Sequence, residues 1–355
     1  ELLDAVEEAV DRTIDRVGKE LVLGAPLGLG KPVQLINAFY RRAQRDPSLS
    51  LHIYTALCLE VPRPASGIEA SLAGPIMQRL FGDYEELAFM ADQRAGRLPD
   101  NVSLSELYFK AGSMKGVAAA QQNYVSSNYT HIARDMLAAG VKVMVQMVAA
   151  RGEGDDLSLS LSCNPDIALE MMDLLPGMQR TFALVAQVHD DLPFMENDAE
   201  VAPETFHWIV RNESCNRTLF AVPNTAVPLQ DYATGLHASS LIADGGTLQI
   251  GIGALGDAVA HSCILRQQQN RAYRDIVGAL SRIPTEVAAD CGTFDQGLYV
   301  STEMFVNGMM HLIEQGVVKR RVYDNLALQQ GINSGAISDA VDGALFDYAT
   351  GCGLL

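Results

Sequence analysis

The sequence predicts an α/β protein built from two open, mostly parallel sheets, one in each of two domains. Short apolar runs alternate along the whole chain with segments that have the apolar spacing of helices. The 355 residues are enough for about two domains. The pattern also restarts after an aperiodic segment with two prolines, at 221–230. We therefore expect an N-terminal domain at 1–220, a linker at 221–230 and a C-terminal domain at 231–355.

The first domain is predicted to contain a buried strand at 21–23, four further strands, and helices between them. The apolar runs that predict strands are 21–23, 50–54, 142–146, 157–162 and 182–188. Helical spacing is found at 33–42, 132–139 and 165–175. The first ten residues mix charged and apolar groups as an amphipathic helix does, which is unlike a signal peptide.

The second domain is predicted to begin with a helix, a turn and a strand, at 231–243, 244–246 and 247–250. A glycine loop and another helix follow. Further on, a buried strand at 297–303 runs into a helix at 304–315. Glu303 therefore stands at a strand end, where ligands collect in open parallel sheets. The alternative is structural, with Thr302 as a helix cap and Glu303 complementing the helix dipole.

The composition excludes several classes of protein. The chain has 26 Lys and Arg against 43 Asp and Glu, so its net charge of −17 would repel a nucleic acid or an anionic membrane surface. No apolar run is long enough to span a membrane. The six cysteines lie at least 28 residues apart, which excludes a CxxC pair and predicts buried thiols in a reducing compartment. The acidic segment His189-Asp-Asp191, with Glu196 and Asp198, predicts a solvated loop and no metal site. We expect a cytoplasmic protein.

A GxGxxG pattern, Gly251 to Gly256, follows the strand predicted at 247–250 and opens a helix. Closely spaced glycines let backbone N–H groups approach an anion, and the helix dipole favours negative charge. A dinucleotide site would also need an acidic residue about 20 residues further on. Asp275 is near that spacing, but it stands in a polar segment that resembles a helix end. A tight turn without a ligand explains the pattern equally well.

An earlier glycine-rich segment, Gly24 to Pro32, matches a phosphate loop only in part. Ala25 and Pro32 stand where GxxxxGK[ST] needs Gly and then Ser or Thr, so a nucleoside triphosphate site is excluded. Gly28 and Gly30 are expected to leave backbone donors bare. A plain turn is the simpler interpretation of these residues.

Three segments together resemble the acetyl-CoA hydrolase/transferase family, a branch of the class I coenzyme A (CoA) transferases. They are the Gly-Leu-Gly-Lys-Pro loop at 28–32, the run Asp244-Gly-Gly-Thr-Leu-Gln-Ile-Gly-Ile-Gly-Ala-Leu-Gly-Asp-Ala-Val259, and Gly297-Leu-Tyr-Val-Ser-Thr-Glu-Met-Phe-Val-Asn-Gly308. The segment Val185-Ala-Gln-Val188 with Leu192-Pro-Phe-Met195 is also similar to the exit strand of the family's first domain. The similarity runs in the same order from about residue 20 to about residue 325.

The resemblance implies that both domains are of the CoA-transferase type. It also implies that the protein is a CoA transferase or an acetyl-CoA hydrolase. Glu303 would be the nucleophile that attacks the thioester of an acyl-CoA, acetyl-CoA above all, and a small carboxylate or water would be the acceptor. CoA would be a substrate, with no permanently bound cofactor, and a homo-oligomer is an open option. The tetrahedral oxyanions of this reaction need fixed donors, and two groups of backbone N–H groups are the candidates. Gly251, Ile252, Gly253 and Ala254 would bind CoA and oxyanions, and Gly28, Leu29 and Gly30 would face the carboxylate substrate.

Two other functions remain open on the sequence. The glycines at 251–256 would also suit an NAD-dependent oxidoreductase. A noncatalytic CoA-binding module is the second alternative, because family members continue past the glutamate with a glycine-rich segment and only 52 residues follow Glu303. On this comparison we expect a second domain that is cut short.

Overall fold

The computed structural model describes most of the chain as two compact units, Glu1–Val222 and Pro223–Leu355. The described residues are 1–63, 66–162, 165–220, 226–280, 290–302, 305–323 and 325–338, with 343, 350 and 351. Residues 221–225 of the predicted linker lie outside them, and the first helix of the C-terminal unit begins at Leu229, inside that predicted segment. The domain boundaries predicted above remain a proposal.

A single sheet forms the centre of the N-terminal unit in its described residues. Its strands are β1 (Leu2–Leu3), β2 (Glu20–Gly24), β3 (Ser50–Thr55), β4 (Val102–Glu106), β5 (Val143–Arg151), β6 (Ser158–Ser160), β7 (Ala183–Val188), β8 (Glu200–Val201) and β9 (Trp208–Val210). The order is β1-β9-β7-β5-β2-β3-β4, and every pair along this path is parallel. Only β6 is antiparallel, where it pairs with the end of β5 and with β8.

Helices cover both faces of this sheet, which is why its central strands are mostly apolar. The helices are α1 (Val6–Val17), α2 (Val33–Arg45), α3 (Gly67–Phe81), α4 (Phe89–Arg94), α5 (Ala118–Gln122), α6 (Ile132–Ala138) and α7 (Asp166–Leu174). One core packs β2, β3 and β4 against α1, α2 and α4, and a second core packs β5 and β7 against α6 and α7. All six residues of β7 are buried, as expected for a strand between two helical layers.

The C-terminal unit is mainly helical in its described residues. Its helices are α8 (Leu229–Ser240), α9 (Ala254–Gln268), α10 (Asn270–Leu280), α11 (Asn307–Glu314) and α12 (Leu326–Asn333). Two short strands, β10 (Thr247–Gln249) and β11 (Tyr299–Ser301), pair in parallel. The core of this unit is small and contains Ile250, Ala260, Cys263, Phe294, Leu298, Met309, Leu312 and Val317.

A buried arginine organises the C-terminal unit. Arg266 on α9 is fully buried, and its guanidinium donates hydrogen bonds to the carbonyl oxygens of Ser239 (2.8 Å) and Ile242 (2.6 Å). It forms an ion pair with Asp290 at 3.0 Å and lies 4.1 Å from the centre of the Phe294 ring. These contacts connect α9 to the end of α8 and to the segment before β11. A buried charge with this many partners is compensated, whereas removing one partner would leave the guanidinium exposed to the apolar interior.

The predicted α/β class with a mostly parallel sheet is confirmed. The strands predicted at 21–23, 50–54, 142–146 and 182–188 correspond to β2, β3, β5 and β7. The run at 157–162 forms a shorter, antiparallel strand. None of the described helices is long and apolar enough to cross a membrane.

Two predicted helices begin later than expected. The chain starts with the strand Leu2–Leu3, because these residues pair in parallel with β9, and the amphipathic helix begins at Val6. The helix predicted at 304–315 begins at Asn307, since Val306 is extended (φ −119°, ψ 165°); Met304 lies outside the described residues.

We predict that Gly235→Ala destabilises the protein by about 1–3 kcal/mol, because an added methyl would overpack α8 against α9. The new carbon would lie 2.6 Å from the carbonyl oxygen of Ala258. Urea unfolding measures the loss. The matched control is Gly278→Ala on α10, where nothing lies within 4 Å and the better helix former should add about 0.5–1 kcal/mol. A Gly235→Ala protein as stable as the Gly278→Ala protein would contradict this packing.

Candidate active site

Two strands of the C-terminal unit end side by side, directly before the segments that the sequence analysis singled out. In the parallel pair, Gln249 of β10 lies opposite Ser301 of β11. The pairing continues past the strands, since the Ile250 N–H donates to the Ser301 carbonyl oxygen at 3.3 Å. The Thr302 hydroxyl then donates to the Ile250 carbonyl oxygen at 3.0 Å. The glycine loop and Thr302 are therefore brought together at one sheet edge. Glu303, the residue after Thr302, lies outside the described residues.

The glycine loop presents four backbone donors. The N–H groups of Gly251, Ile252, Gly253 and Ala254 donate no hydrogen bond to any described residue. Gly253 has φ +126° and ψ 175°, a conformation that is essentially restricted to glycine, and the helix α9 starts at the next residue. Because the first N–H groups of a helix carry partial positive charge, the loop is suited to hold a negative group.

The third glycine of the pattern is needed for packing. A Cβ at Gly256 would lie 2.2 Å from the carbonyl oxygen of Gly251, so only glycine allows α9 to follow the loop this closely. The first turn is closed by a hydrogen bond of 3.0 Å from the Asp257 N–H to the Gly253 carbonyl oxygen. Asp275 stands within α10 and is exposed, so it does not end a strand as the acidic residue of a dinucleotide site does. The structure therefore does not supply the acidic residue that the NAD-dependent alternative requires in addition to the glycine pattern.

The early glycine loop lies in the N-terminal unit, after β2. Gly28–Gly30 form one turn of 3-10 helix, with Gly28 at φ +51°. The expectation of a bare donor at Gly30 is wrong, because its N–H donates to the Leu27 carbonyl oxygen at 3.2 Å to close this turn. The N–H groups of Gly28 and Leu29 donate to no described residue. Of the three residues, Gly28 and Gly30 are buried and Leu29 is half-buried.

A buried lysine joins this loop to the neighbouring strand. Lys31 is only 3% exposed, and its ammonium donates hydrogen bonds to the carbonyl oxygens of Ala56 and of Leu57, the latter at 3.3 Å. Both carbonyl groups follow directly after β3, which pairs with β2. Leu57 is in the left-handed region at φ +48°, where a non-glycine residue is strained. The lysine holds this strained turn against the glycine loop.

A pocket opens beside the loop. It has a volume of about 370 Å³, including its open mouth, and it lies entirely within the N-terminal unit. Gly28, Leu29 and Lys31 form one wall. The other walls are mostly apolar and include Leu59, Tyr84, Met147, Cys215, Leu219 and Phe220. A concave, mainly apolar site with a few fixed polar groups is the usual form of a small-molecule site.

His189 also lines this pocket, contrary to the expectation of a solvated loop. It directly follows β7 and is only 2% exposed. Its Nδ1 accepts a hydrogen bond of 3.2 Å from the Asp191 N–H, so the proton is on Nε2, which donates to the Arg217 carbonyl oxygen at 2.7 Å. Asp190 and Asp191 are exposed as predicted. No group of three His, Cys, Asp or Glu side chains among the described residues could hold a metal ion.

Glu106, the last residue of β4, is the most isolated buried carboxylate of the described residues. It is 2% exposed, and neither of its carboxylate oxygens has a hydrogen-bond partner among the described residues. Burial raises the pKa of Glu106, while the Cys58 thiol, the Lys31 ammonium and the Gln93 amide lie close enough to lower it in part. A buried carboxyl with a raised pKa holds a proton to higher pH than an exposed one.

Three of the four described cysteines have a raised thiol pKa. Cys215 and Cys263 are buried, and Cys58 and Cys291 are half-buried. Burial raises the pKa of Cys215 to about 11 and that of Cys263 to about 12, and it also raises the pKa of Cys58. Since the thiolate is the reactive form, these side chains are inert at neutral pH. Cys163 and Cys352 lie outside the described residues.

The sequence comparisons point to one class of enzyme. A succinyl-CoA:acetate/propanoyl-CoA:succinate CoA transferase from Fasciola hepatica is 29% identical over 144 residues, which are 40% of this chain and 23% of that protein. Over this aligned part, the chain is similar to a CoA transferase. This confirms the resemblance found in the sequence. The aligned part is less than a quarter of the relative, and no family model matches the chain.

RipA, a protein of known structure, is similar to this chain in fold. RipA from Yersinia pestis has a TM-score of 0.58 at 18% identity, over 89% of this chain and 59% of that one. A 4-hydroxybutyrate CoA-transferase from Porphyromonas gingivalis has a TM-score of 0.48 at 18% identity, over 89% of this chain and 57% of that one. This chain thus spans less than two thirds of the length of either protein.

Three side chains of the N-terminal unit were not singled out by the sequence analysis as functional residues. Lys31 was treated only as part of an incomplete phosphate loop, and His189 as part of an acidic loop. Glu106 does carry a sequence signal, because it follows Val102 and Leu104 at alternate positions of a strand and so lies on their apolar face. A charged residue in phase with apolar ones marks a buried charge.

We predict that Glu106→Gln changes how stability depends on pH. Burial raises the pKa of Glu106 in the folded protein above its value in the unfolded chain, which is about 4.3. Between these two values the folded protein keeps a proton that the unfolded chain has lost, so the wild type loses stability as pH rises through this window. The variant has no such loss. Urea unfolding at pH values from about 4 to about 8 should show that the free energy of unfolding of Glu106→Gln increases relative to that of the wild type as pH rises.

The control for this measurement is Glu153→Gln. Glu153 is exposed and its side chain forms no hydrogen bond with a described residue, so its stability difference from wild type should stay flat across the same pH range. If Glu106→Gln gave an equally flat difference, the carboxyl would have the same pKa in the folded and unfolded chains.

Proposed function

We propose that this chain transfers CoA between small carboxylates, or from an acyl-CoA to water, with Glu303 as the covalent nucleophile. The observation that carries the proposal is the hydrogen bond from Thr302 to Ile250, which places the residue before Glu303 beside the glycine loop. The relationship to a CoA transferase supports the reaction class. The raised pKa values of Cys58, Cys215 and Cys263 make these three thiols poor nucleophiles, which also favours a carboxylate.

The proposed reaction has two covalent intermediates. A Glu303 carboxylate oxygen attacks the thioester carbonyl, the C–S bond breaks, and an acyl-glutamyl anhydride and the CoA thiolate form. The thiolate then attacks the glutamyl carbonyl of the anhydride, which releases the first carboxylate and leaves a glutamyl-CoA thioester. An acceptor carboxylate repeats these steps in reverse to give a new acyl-CoA, and water instead gives free CoA and restores Glu303. Transferase and hydrolase differ only in this last partner.

Each attack forms a tetrahedral oxyanion, which needs fixed hydrogen-bond donors. We assign this role to the backbone N–H groups of Gly251, Ile252, Gly253 and Ala254, because they are unused by the described residues and belong to a helix N-terminus. Donors fixed by the backbone need no rearrangement as charge develops. No permanently bound cofactor is required for this chemistry.

The pocket beside Gly28, Leu29 and Gly30 is the proposed site for the carboxylate substrate. The free N–H groups of Gly28 and Leu29 suit an anionic end, and the apolar walls suit a hydrocarbon part. Acetate, propanoate and succinate, which the name of the F. hepatica relative includes, are the first substrates to test. An acetyl-CoA substrate would place the protein in acetate metabolism.

We predict that Glu303→Gln abolishes turnover, with kcat lower by more than about 10⁴-fold, because an amide cannot form the anhydride. Wild-type protein incubated with acetyl-CoA, propanoyl-CoA or succinyl-CoA and then treated with hydroxylamine should show a mass change on the peptide that contains Glu303. The variant should show none.

Glu314→Gln is the matched control, since Glu314 is the next glutamate along the chain and is exposed on α11. It should retain wild-type turnover and the modified Glu303 peptide. Full activity in Glu303→Gln, or wild-type protein that binds CoA but never turns over a thioester, would contradict the proposal. The second result would leave a noncatalytic CoA-binding protein.

We predict that Gly253→Ala lowers kcat by about 100-fold with little change in KM, because an alanine cannot keep this conformation and the oxyanion donors would move. Steady-state kinetics with acetyl-CoA measure both constants. Gly316→Ala is the control, since Gly316 also has positive φ (+67°) with nothing within 4 Å of the added carbon. It should cost stability without lowering kcat. Equal kinetic effects of the two variants would exclude a specific role for the loop.

A further inference from the structure

Positive charge is scarce in the C-terminal unit, Pro223–Leu355. Its sequence contains seven Lys or Arg residues against thirteen Asp or Glu residues. Arg266 is fully buried and paired with Asp290, so it cannot meet a ligand. Three of the remaining six are consecutive in the sequence, at 319–321. These three residues are therefore the densest group of basic side chains that this unit could use to bind an anion.

The three basic residues line one pocket. Lys319, Arg320 and Arg321 surround a volume of about 630 Å³, including the open mouth, together with residues of β11 and residues at the end of α12 and beyond. No Asp or Glu is among the described residues that line it. The pocket is thus a local region of positive charge on a protein with a net charge of −17.

Arg320 is committed to holding this segment in place. Its guanidinium lies 4.1 Å from the centre of the Tyr299 ring and donates hydrogen bonds to Asn333 Oδ1 at 3.1 Å and to the Gly245 carbonyl oxygen. The Tyr299 hydroxyl donates to the same Asn333 oxygen at 2.8 Å. The segment is therefore anchored to β11, to α12 and to the turn before β10.

The charged groups of Lys319 and Arg321 are not used in contacts with the described residues. The Lys319 stem lies over Gly297, where a Cβ would come within 2.4 Å of its Cγ. Neither side chain forms a hydrogen bond or ion pair with a described residue, and both residues are exposed. Val318 pairs in parallel with Leu298, so the segment starts out beside β11 in the direction of Thr302.

We propose that Lys319 and Arg321 bind the phosphate groups of CoA, and that Arg320 positions them. The inference rests on the proposed function, which makes CoA a substrate. CoA carries a diphosphate and a 3′-phosphate at its adenosine end, far from the thioester. An arginine fork matches phosphate oxygens bidentately, and a lysine adds a mobile point charge. A chain with a net charge of −17 needs such a local pair to offset its general repulsion of this anion.

The test is the dissociation constant for CoA, measured by isothermal titration calorimetry. Lys319→Gln and Arg321→Gln should each weaken CoA binding by about 10-fold, in line with one charge-assisted contact, and the double variant should weaken it further. Added salt should weaken CoA binding to the wild type more steeply than to the double variant, because screening acts on the charges that were removed. A merely structural role of the two residues would not change this salt dependence.

Arg274→Gln is the matched control, since Arg274 is exposed on α10 of the same unit and the variant loses the same charge. It should bind CoA as the wild type does. Thermal unfolding of all variants checks that they fold. If the two test variants bind CoA as tightly as Arg274→Gln while the wild type still forms the Glu303 adduct, this inference fails and the proposed function stands. If the wild type does not bind CoA, both fail.

Discussion

Parallel strand pairing is the constraint on which the described sites depend. Parallel strands all leave their sheet at the same edge, so the segments that follow them must lie together there. In the N-terminal unit this is why a lysine after β2 reaches the carbonyl groups after β3, and why Glu106 at the end of β4 lies near enough to sense its charge. In the C-terminal unit the same geometry lets Thr302 bond to the residue that precedes the glycine loop.

The strands that are buried on both faces were predictable from the sequence, because a mostly apolar run such as Ala183–Val188 is typical of a strand between two helical layers. The strand β4 was missed, since Ser and Glu alternate there with apolar residues and weaken the run. Local pattern could not predict the contacts of Lys31 or Leu57, since they join residues about 25 positions apart. The glycine loop was predicted correctly as a strand-to-helix turn, and its assignment to oxyanions stays a prediction, as does the role of Glu303.

Net charge proved to be a weak guide to the ligands of this chain. A value of −17 excludes long-range attraction to polyanions, yet two kinds of local donor remain. Backbone N–H groups carry no formal charge and are not counted in it. Basic side chains do contribute to the net charge. The three at 319–321, one of which packs on the Tyr299 ring, place much of the positive charge of the C-terminal unit in a single pocket. For binding an anion, the positions of the basic side chains matter more here than their number.

The glycine loop at 251–254 also bears on how this protein can diverge. Its donors belong to the main chain, so exchanging the side chain at Ile252, which is 49% exposed, leaves every N–H group in place. Gly253 and Gly256 are fixed by backbone conformation and by close packing, respectively. The loop and the first turn of α9 therefore combine two positions that require glycine with one, residue 252, whose side chain is half-exposed. Under the proposed function, residue 252 is therefore a position where the side chain can be exchanged without removing an oxyanion donor.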